Sequence, residues 1–452
     1  MQKTELLDLI RQYPHPKVKL AIVDIDGVLR GKVIHRDKFL SVVEGGFGFC
    51  DVVFGWDIAD ESYDNAHITG WHTGYPDAQA RLDLDTFRQI PWERDIPFFL
   101  GEFVNQAGAP LDACPRSLLK RVTNQAHAAG YTPVFSQEFE WFTFAETPQS
   151  LADKSFQHPQ PMTPGMFGYS HLRSSLKQDY FHDLFDLLTK FGVPLEGLHT
   201  ETGPGVYEAA IQYSDILTAA DRAVLFKTGT KEIAYQHGLI ASFMAKWRAD
   251  LPGCSGHVHQ SLWDPEKKRN LFYDEEATNH ISQLMRQYIA GQLYCLPHIL
   301  PMYAPTINSY KRLVEGAWAP TTLTWGIDNR TVALRALPGS SKATRLENRV
   351  VGSDSNPYLA MAAALASGLY GIRHQLDLKQ APVKGNGYTI TEHGVLPANL
   401  LAATEAMESS EVAKELFGEG FVDHFTRTRR WEWRAFAQAV TDWEMQRYFE
   451  LV

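Results

Sequence analysis

Asn308-Ser309-Tyr310-Lys311-Arg312, Asn329-Arg330-Thr331-Val332-Ala333-Leu334-Arg335, Arg345-Leu346-Glu347-Asn348-Arg349 and Asn356-Pro357-Tyr358-Leu359 follow one another within residues 308–372. Five arginines, one lysine and a single glutamate are interleaved there with apolar residues, the pattern of half-buried strands. A buried guanidinium is costly unless it faces an anion. A solvated charged face is therefore the weaker explanation, and a site that handles phosphate and carboxylate groups is the stronger. Arg345, Glu347 and Arg349 share one strand face, either as an ion-pair ladder or as a metal ligand between phosphate-binding arginines. Arg330 and Arg335 fall on opposite faces of a regular strand, so both reach one ligand only if the chain bends between them.

The rest of the chain sets bounds on that site. Its 452 residues are 44% hydrophobic and 12% aromatic, enough for a large core and for two or three domains. A net charge of −10 argues against nucleic acid and anionic membrane as main partners, so the arginine-rich stretch suits a small anionic ligand. Cys50, Cys114, Cys254 and Cys295 lie far apart without a CxxC pair, which fits free thiols in a reducing cytoplasm. The first 14 residues lack the apolar core of a signal peptide, and no apolar run approaches a membrane span. The expected location is the cytoplasm.

Periodicity predicts a helix over residues 1–12 and a hairpin of strands 18–25 and 28–34 around Asp26-Gly27. A helix-like segment, 38–53, is interrupted by Gly45-Gly46, and short strands and turns continue to Phe99. The turn-rich Ala107-Gly108-Ala109-Pro110 separates a small α+β domain, 1–107, from a larger one, 108–452. The larger domain is expected to carry helices over 115–129, 180–192 and 279–296, and a helical tail from 396. Its expected strands are 131–144, a strand-turn-strand over 198–213, 239–245 and 255–262, with Ser214-Asp215 capping a further helix. The fold class is α+β.

Glu138 and Glu140 are two apart on a strand among Phe139, Trp141 and Phe142, so both carboxylates share one face. Such a pair suits a hard divalent cation, although an E-x-E strand is more often simply exposed. Glu201 and Glu208 flank Gly203-Pro204-Gly205, a turn that can bring both acids to one locus or leave them as surface acids. His257, His259 and Ser261 share a strand face, and H-x-H is either a metal pair or hydrogen-bonded structural histidine. The spacing is not that of a tetrahedral zinc site. Asp24-Ile25-Asp26-Gly27-Val28 is better explained as a hairpin turn than as a phosphatase-like D-x-D.

Taken in order, S-Q-E-F-E-W-F, E-T-G-P-G-V-Y-E, S-G-H-V-H-Q-S-L, N-S-Y-K-R-L-V, N-R-T-V-A-L-R, R-L-E-N-R and S-N-P-Y-L-A resemble the glutamine synthetase family over nearly the whole chain. The resemblance implies a β-grasp N-terminal domain and a catalytic domain of antiparallel strands and helices. It also implies homo-oligomers of stacked rings, often dodecamers, with active sites between neighbouring subunits. The implied reaction uses ATP and two or more Mg2+ or Mn2+ ions: the glutamate γ-carboxylate is phosphorylated, and an amine then displaces the phosphate. By motif position, Glu140, Glu201 and Glu208 match the ligands of one metal, and Glu138, His257 and Glu347 those of a second. Arg330, Arg335 and Arg345 match residues that hold the transferring phosphoryl group or the nucleotide phosphates. Arg312 and Arg349, with the backbone at Gly253, match the glutamate contacts, while Tyr213, His259 and Ser261 match positions near the nucleotide.

Two departures fall in the amine pocket. Ammonia-using members carry an acid in a loop resembling P-G-Y-E-A-P, where this chain has Glu315-Gly316-Ala317-Trp318-Ala319-Pro320. An indole cannot deprotonate ammonium, but it can pack on the carbon skeleton of an organic amine or stack on its cation. The family's D-G-S-S element corresponds to Gly55-Trp56-Asp57-Ile58, in which Asp57 keeps the aspartate and the serines are lost. The pattern is similar to the branch of γ-glutamyl-amide ligases that use mono- or polyamines, with a monoamine favoured. Ammonia-using glutamine synthetase is the alternative, and a non-catalytic ring ranks last because all six metal-ligand candidates are present.

Overall fold

The computed structural model describes residues 2–105 and 107–452; Met1 and Gln106 lie outside the described residues. The chain builds two sheets. The first contains β1 (Lys17–Val23), β2 (Leu29–His35), β3 (Phe47–Cys50), β4 (Asp77–Ile90) and β5 (Ile96–Val104), in the spatial order β2-β1-β5-β4-β3. The central pair β1 and β5 is parallel, and the other pairings are antiparallel. The predicted hairpin is present, with Lys17 opposite His35 and Val23 opposite Leu29. At its tip the Asp24 carboxylate accepts from the Asp26 and Val28 amides and from Arg30 Nε at 2.8–3.0 Å. Gly27 sits at φ +82° with the Asn356 Cα 3.0 Å from where a Cβ would be, so a side chain there would be strained and crowded. Asn356 in turn donates to the Asp24 and Ile25 carbonyls, seating the turn on the larger sheet's side of the molecule.

The second sheet holds nine strands: β6 (Thr132–Phe144), β7 (Leu195–Thr200), β8 (Val206–Ile211), β9 (Ser214–Asp215), β10 (Ile240–Ser242), β11 (Val258–Trp263), β12 (Trp325–Ile327), β13 (Leu334–Leu337) and β14 (Arg345–Asn348). Its path is β12-β13-β14-β11-β6-β8-β7, with β9 and β10 on β6. The expected antiparallel pairing holds except for β12 and β13, which are parallel. Helices Pro115–Ala128, Ile216–Gln236, Gln283–Ile299 and Pro357–Arg373 pack beside this sheet in one hydrophobic core. Arg116 ties the first sheet to these helices: it pairs with Asp221 of Ile216–Gln236 at 2.9 Å and with Asp83 of β4 at 2.9 Å, while the Tyr358 hydroxyl donates to Asp221 at 2.6 Å. Breaking a buried pair of this kind typically costs about 3–5 kcal/mol, because it leaves a charge without a partner.

Four expectations are corrected. Residues 38–53 do not form an interrupted helix: a helix covers Arg36–Val42 and β3 follows the Gly45-Gly46 pair, because Gly46 at φ +81° ends the helix. The region of short strands holds the 14-residue β4, whose register shifts between Asp83 and Arg88. Asn308–Arg312 and Asn356–Leu359 are not half-buried strands: Ser309–Arg312 is a single helical turn, and Asn356 caps the Pro357–Arg373 helix by accepting from the Tyr358 amide. Asp215 occupies the predicted cap position of Ile216–Gln236, but its side chain pairs with Lys267 instead of capping. No helix of the described residues is long and apolar enough to cross a membrane.

Candidate active site

The site is a consequence of strand register. Glu140 on β6 lies opposite Glu208 on β8, His259 on β11 lies opposite Glu347 on β14, and Glu347 lies opposite Arg335 on β13. Two rows of ionisable side chains result, Glu208-Glu140 across β8 and β6 and His259-Glu347-Arg335 across β11, β14 and β13; they are offset by four residues along β6, where Ser136 lies opposite His259, and Glu138 stands between them. Trp141 and Phe139 alternate with the acids along β6 and are fully buried on its other side, which holds that face in place.

Two clusters divide these side chains. In the first, His257 Nδ1 lies 3.0 Å from Glu138 Oε1 and 3.3 Å from Glu347 Oε1, and His259 Nε2 lies 3.3 Å from Glu138 Oε2. Glu138, His259 and Glu347 can each offer one atom to a common metal ion, since the three atoms lie within 4.8 Å of one another. His257, expected with Glu138 and Glu347, lies against both carboxylates. His259, expected beside the nucleotide, also reaches the cluster, because its ring shares a strand face with Glu138 across the sheet. Burial raises the Glu138 carboxyl, but His259 and His257 outweigh it and hold the group well below the usual carboxylate range. Burial acts likewise on Glu347 and is overcome by Arg349, His257 and His259, leaving it at about 2. Burial and Arg349 together lower His257 to about 4, so its imidazole is neutral and free to ligate at pH 7.

In the second cluster, Glu140 and Glu208 face each other, and His199 Nε2 pairs with Glu208 Oε1 at 3.1 Å. Burial and the adjacent Glu208 push Glu140 up to about 8, and burial also raises Glu208. Three carboxylates, Glu140, Glu201 and Glu208, crowd this locus, and His199 and Arg312 offset their repulsion only in part. Among the described residues, one buried atom in each cluster, Glu201 Oε2 and His257 Nε2, has no hydrogen-bond partner. Carboxylate oxygens and neutral imidazole nitrogen suit a hard or borderline divalent cation, so the donor set fits magnesium or manganese.

A cavity of about 400 Å³ opens beside Glu138 and is lined by Ser136, Tyr213, His259, Ser261 and Arg345. The four residues predicted near the nucleotide therefore converge on one space. Arg345 Nε donates to His259 Nδ1 at 3.2 Å, and Trp263 Nε1 donates to Ser261 Oγ at 3.0 Å. Sequence reasoning missed Trp263 and Lys342, which also line this cavity. Trp263 is two residues beyond Ser261 on the same strand face, so period two carried the signal; Lys342 sits in a loop that has no such period.

A second cavity, about 790 Å³, is lined by Trp318, Ile327, Asp328, Arg330, Thr331 and Lys384. Trp318 is 60% exposed and held at φ +57°, an unusual conformation for a bulky residue. The bend required between Arg330 and Arg335 exists: Asn329 Oδ1 accepts from the Thr331 amide, and β13 begins only at Leu334. Arg335 is held by Glu347 at 3.0 Å and by Asp328. Arg312 is buried, with its Nη atoms on the Val350 and Arg349 carbonyls and on Ser255 Oγ. A Cβ on Gly253 would lie 2.5 Å from the Ala245 oxygen and 2.9 Å from Arg312 Cγ, so only glycine fits against that arginine. Asp57 stands apart from both cavities; its Oδ1 accepts from the Ala59 and Glu61 amides, and Arg30 donates to its carbonyl.

A buried site of two carboxylate clusters with histidine, beside a cavity that Arg345 lines, is the kind of donor and charge arrangement that metal-assisted phosphoryl transfer requires. Residues 112–448 match the glutamine synthetase catalytic domain. The chain is 54% identical over 450 residues to type-1 glutamine synthetase 2 of Dictyostelium discoideum, covering 99% of this chain and 86% of that one. It is 36% identical over 454 residues to a glutamate–isopropylamine ligase of Pseudomonas sp, covering 100% and 98%. A solved GmaS complex with ADP superposes with a TM-score of 0.85 at 28% identity, covering 98% of this chain and 99% of that one. The chain belongs to the glutamine synthetase family. It is a ligase of that family, whose chemistry is ATP-dependent γ-glutamyl transfer with divalent metals.

Proposed function

We propose that this protein joins the glutamate γ-carboxylate to an organic amine, by way of γ-glutamyl phosphate, and forms a γ-glutamylamide. The observation that carries the reading is Trp318: an indole, not an acid, lines the cavity that also holds Arg330. Glu138, His257 and Glu347, with His259 beside them, would hold one metal, and Glu140, Glu201 and Glu208 the other. Those metals, when bound, neutralise the ATP phosphates. Arg345 and the residues around Ser261 hold the nucleotide, and Arg330 and Arg335 hold the transferring phosphoryl group. The γ-carboxylate oxygen bonds to the γ-phosphorus as ADP leaves. The amine nitrogen then bonds to the carbonyl carbon, phosphate leaves, and the ammonium proton passes to a carboxylate. Asp57, supplied by a neighbouring subunit of a cytoplasmic ring assembly, is our candidate for that proton acceptor. Arg349 and the buried charge of Arg312, with the Gly253 backbone, hold the amino acid. Trp318 packs on the carbon skeleton of the amine and disfavours ammonia, which has none.

Ammonia as the amine is the second reading, favoured by the name of the Dictyostelium relative. Phosphate release from ATP and glutamate separates the two. Turnover with an organic amine and little with ammonia supports the proposal, and turnover with ammonia alone overturns it.

A further inference from the structure

Arg30 lies outside every motif that defines the site, yet each of its guanidinium nitrogens is committed. It stands on β2 opposite Ile22. Its Nε donates at 2.8 Å to Asp24 Oδ2, on the carboxylate that already holds the hairpin turn. Its Nη1 donates to Asp60 Oδ1 at 2.6 Å and its Nη2 to the Asp57 carbonyl at 3.2 Å. The guanidinium carbon also lies 5.3 Å from the centre of the Trp56 ring. A planar fork of donors holds several acceptors in fixed relative positions, which a lysine ammonium cannot do.

What the fork holds is a narrow loop. Trp56 and Ser62 form a backbone bridge, the Tyr63 amide donates to the Gly55 carbonyl at 2.8 Å, and the Asp57 amide donates to the Glu61 carbonyl at 2.9 Å. Asp57 lies at the buried base of this loop, and its Oδ1 accepts from the Ala59 and Glu61 amides at 2.9 and 2.8 Å. The turn thereby orients the carboxylate, and among the described residues its Oδ2 makes no hydrogen bond. Beyond Ser62 the chain is fastened to the Glu419–Gln438 helix: Asn65 donates to the Arg427 carbonyl at 2.9 Å, and Arg427 donates to the Asn65 carbonyl at 3.2 Å. Residues 58–61, between the two anchors, are exposed. A rigidly held root, an exposed tip and one carboxylate oxygen without a donor suit a loop that serves a site outside itself.

We propose that Arg30 is a positioning residue for the amine step: it fixes the loop that presents Asp57 Oδ2 to the active site of a neighbouring subunit. The assignment rests on Asp57 as the proton acceptor in the reading above. Arg30 touches neither substrate nor metal. It acts through the Asp57 carbonyl and Asp60, and Asp24 braces it from the hairpin turn.

The test is steady-state phosphate release by the full-length protein with ATP, glutamate and Mg2+, for wild type, Arg30→Gln and Arg30→Lys. The amine is whichever of ammonia, ethylamine and ethanolamine the wild type turns over fastest. In both variants kcat/KM for the amine should fall about a hundredfold, the loss that a displacement of about 1 Å can cause, with KM for ATP and glutamate within about twofold of wild type. Lysine keeps the charge without the fork, so it should not rescue. Mixed assemblies then test delivery to the neighbour. The second variant is Glu201→Gln, which disables its own metal cluster, keeps Arg30, and has no hydrogen bond at Glu201 Oε2 to lose. Co-assembled one to one, the two defective variants should regain activity at about a quarter of their sites, where an intact metal cluster meets an intact loop. Should Arg30→Gln fold poorly, Asp60→Asn removes one anion from the fork at an exposed position and should give a smaller loss in the same amine kcat/KM. Amine kcat/KM unchanged in the folded variants, full rescue by lysine, or mixed assemblies no more active than their parents would overturn the role of Arg30 and leave the ligase reading standing. Wild-type turnover with ammonia alone would overturn the ligase reading instead, and the Arg30 losses would then be read on ammonia.

Discussion

Replacing Glu347 with Gln keeps the shape of the side chain and removes its charge. In the wild type that charge is fully buried, 2.6 Å from Arg349, 3.0 Å from Arg335 and 3.3 Å from His257. Its pKa of about 2, against an ordinary 4.5, corresponds to about 3 kcal/mol of favourable interaction at neutral pH. Removing one member of a buried ion pair usually costs about 3–5 kcal/mol, so the two routes agree. The expected outcome is a loss of about 3 kcal/mol in urea denaturation at pH 7. The sign of the pH dependence follows from the depressed pKa: the wild-type advantage is complete above about 4.5 and disappears as pH falls towards about 2. ATP turnover should fall further than stability does, by about a thousandfold, because that corresponds to about 4 kcal/mol of lost phosphate neutralisation. A stability change below about 1 kcal/mol would refute the reasoning, for it would mean that Arg335 and Arg349 are not neutralised by this carboxylate.

Trp318→Glu restores an acid to the amine pocket; kcat/KM for bulky amines should fall and that for ammonia rise, and an unchanged ratio would remove Trp318 from the pocket. The Glu140 carboxyl, raised to about 8 by burial and Glu208, predicts a coupling between metal and proton. Its folded pKa lies above the unfolded value, so the metal-free protein loses stability as pH rises from about 4.5 to about 8, and added Mn2+ restores it. Thermal midpoints with and without Mn2+ across that range check this, and Glu140→Gln should flatten the metal-free profile.

The period-two pattern of β6 was enough to place Glu138 and Glu140 on one face, because the large aromatics between them must be buried. The Asp26-Gly27 turn was legible for a similar local reason. The Pro357–Arg373 helix was not: its residues from Pro357 to Gly368 are all buried, so it has no polar face and no helical period to read. Site geometry was legible only as far as single strands allow. That His199 meets Glu208, and that His259 joins Glu138, depends on which strands are neighbours, and register between distant strands leaves no mark on composition. Trp318 was flagged by its substitution for an acid, but its cavity is formed with residues 382–385, whose irregular backbone carries no periodic signal.

The central claim is that an organic amine, not ammonia, is the acceptor. Its most direct test is phosphate release from ATP with glutamate and Mg2+, compared across ammonia, alkyl and aromatic monoamines, ethanolamine and diamines, with the product identified by mass. One organic amine, a monoamine, is expected to be used with kcat/KM about a hundredfold above that for ammonia and to give a γ-glutamylamide product. Glutamine as the sole product, with ammonia the only amine turned over, would contradict it.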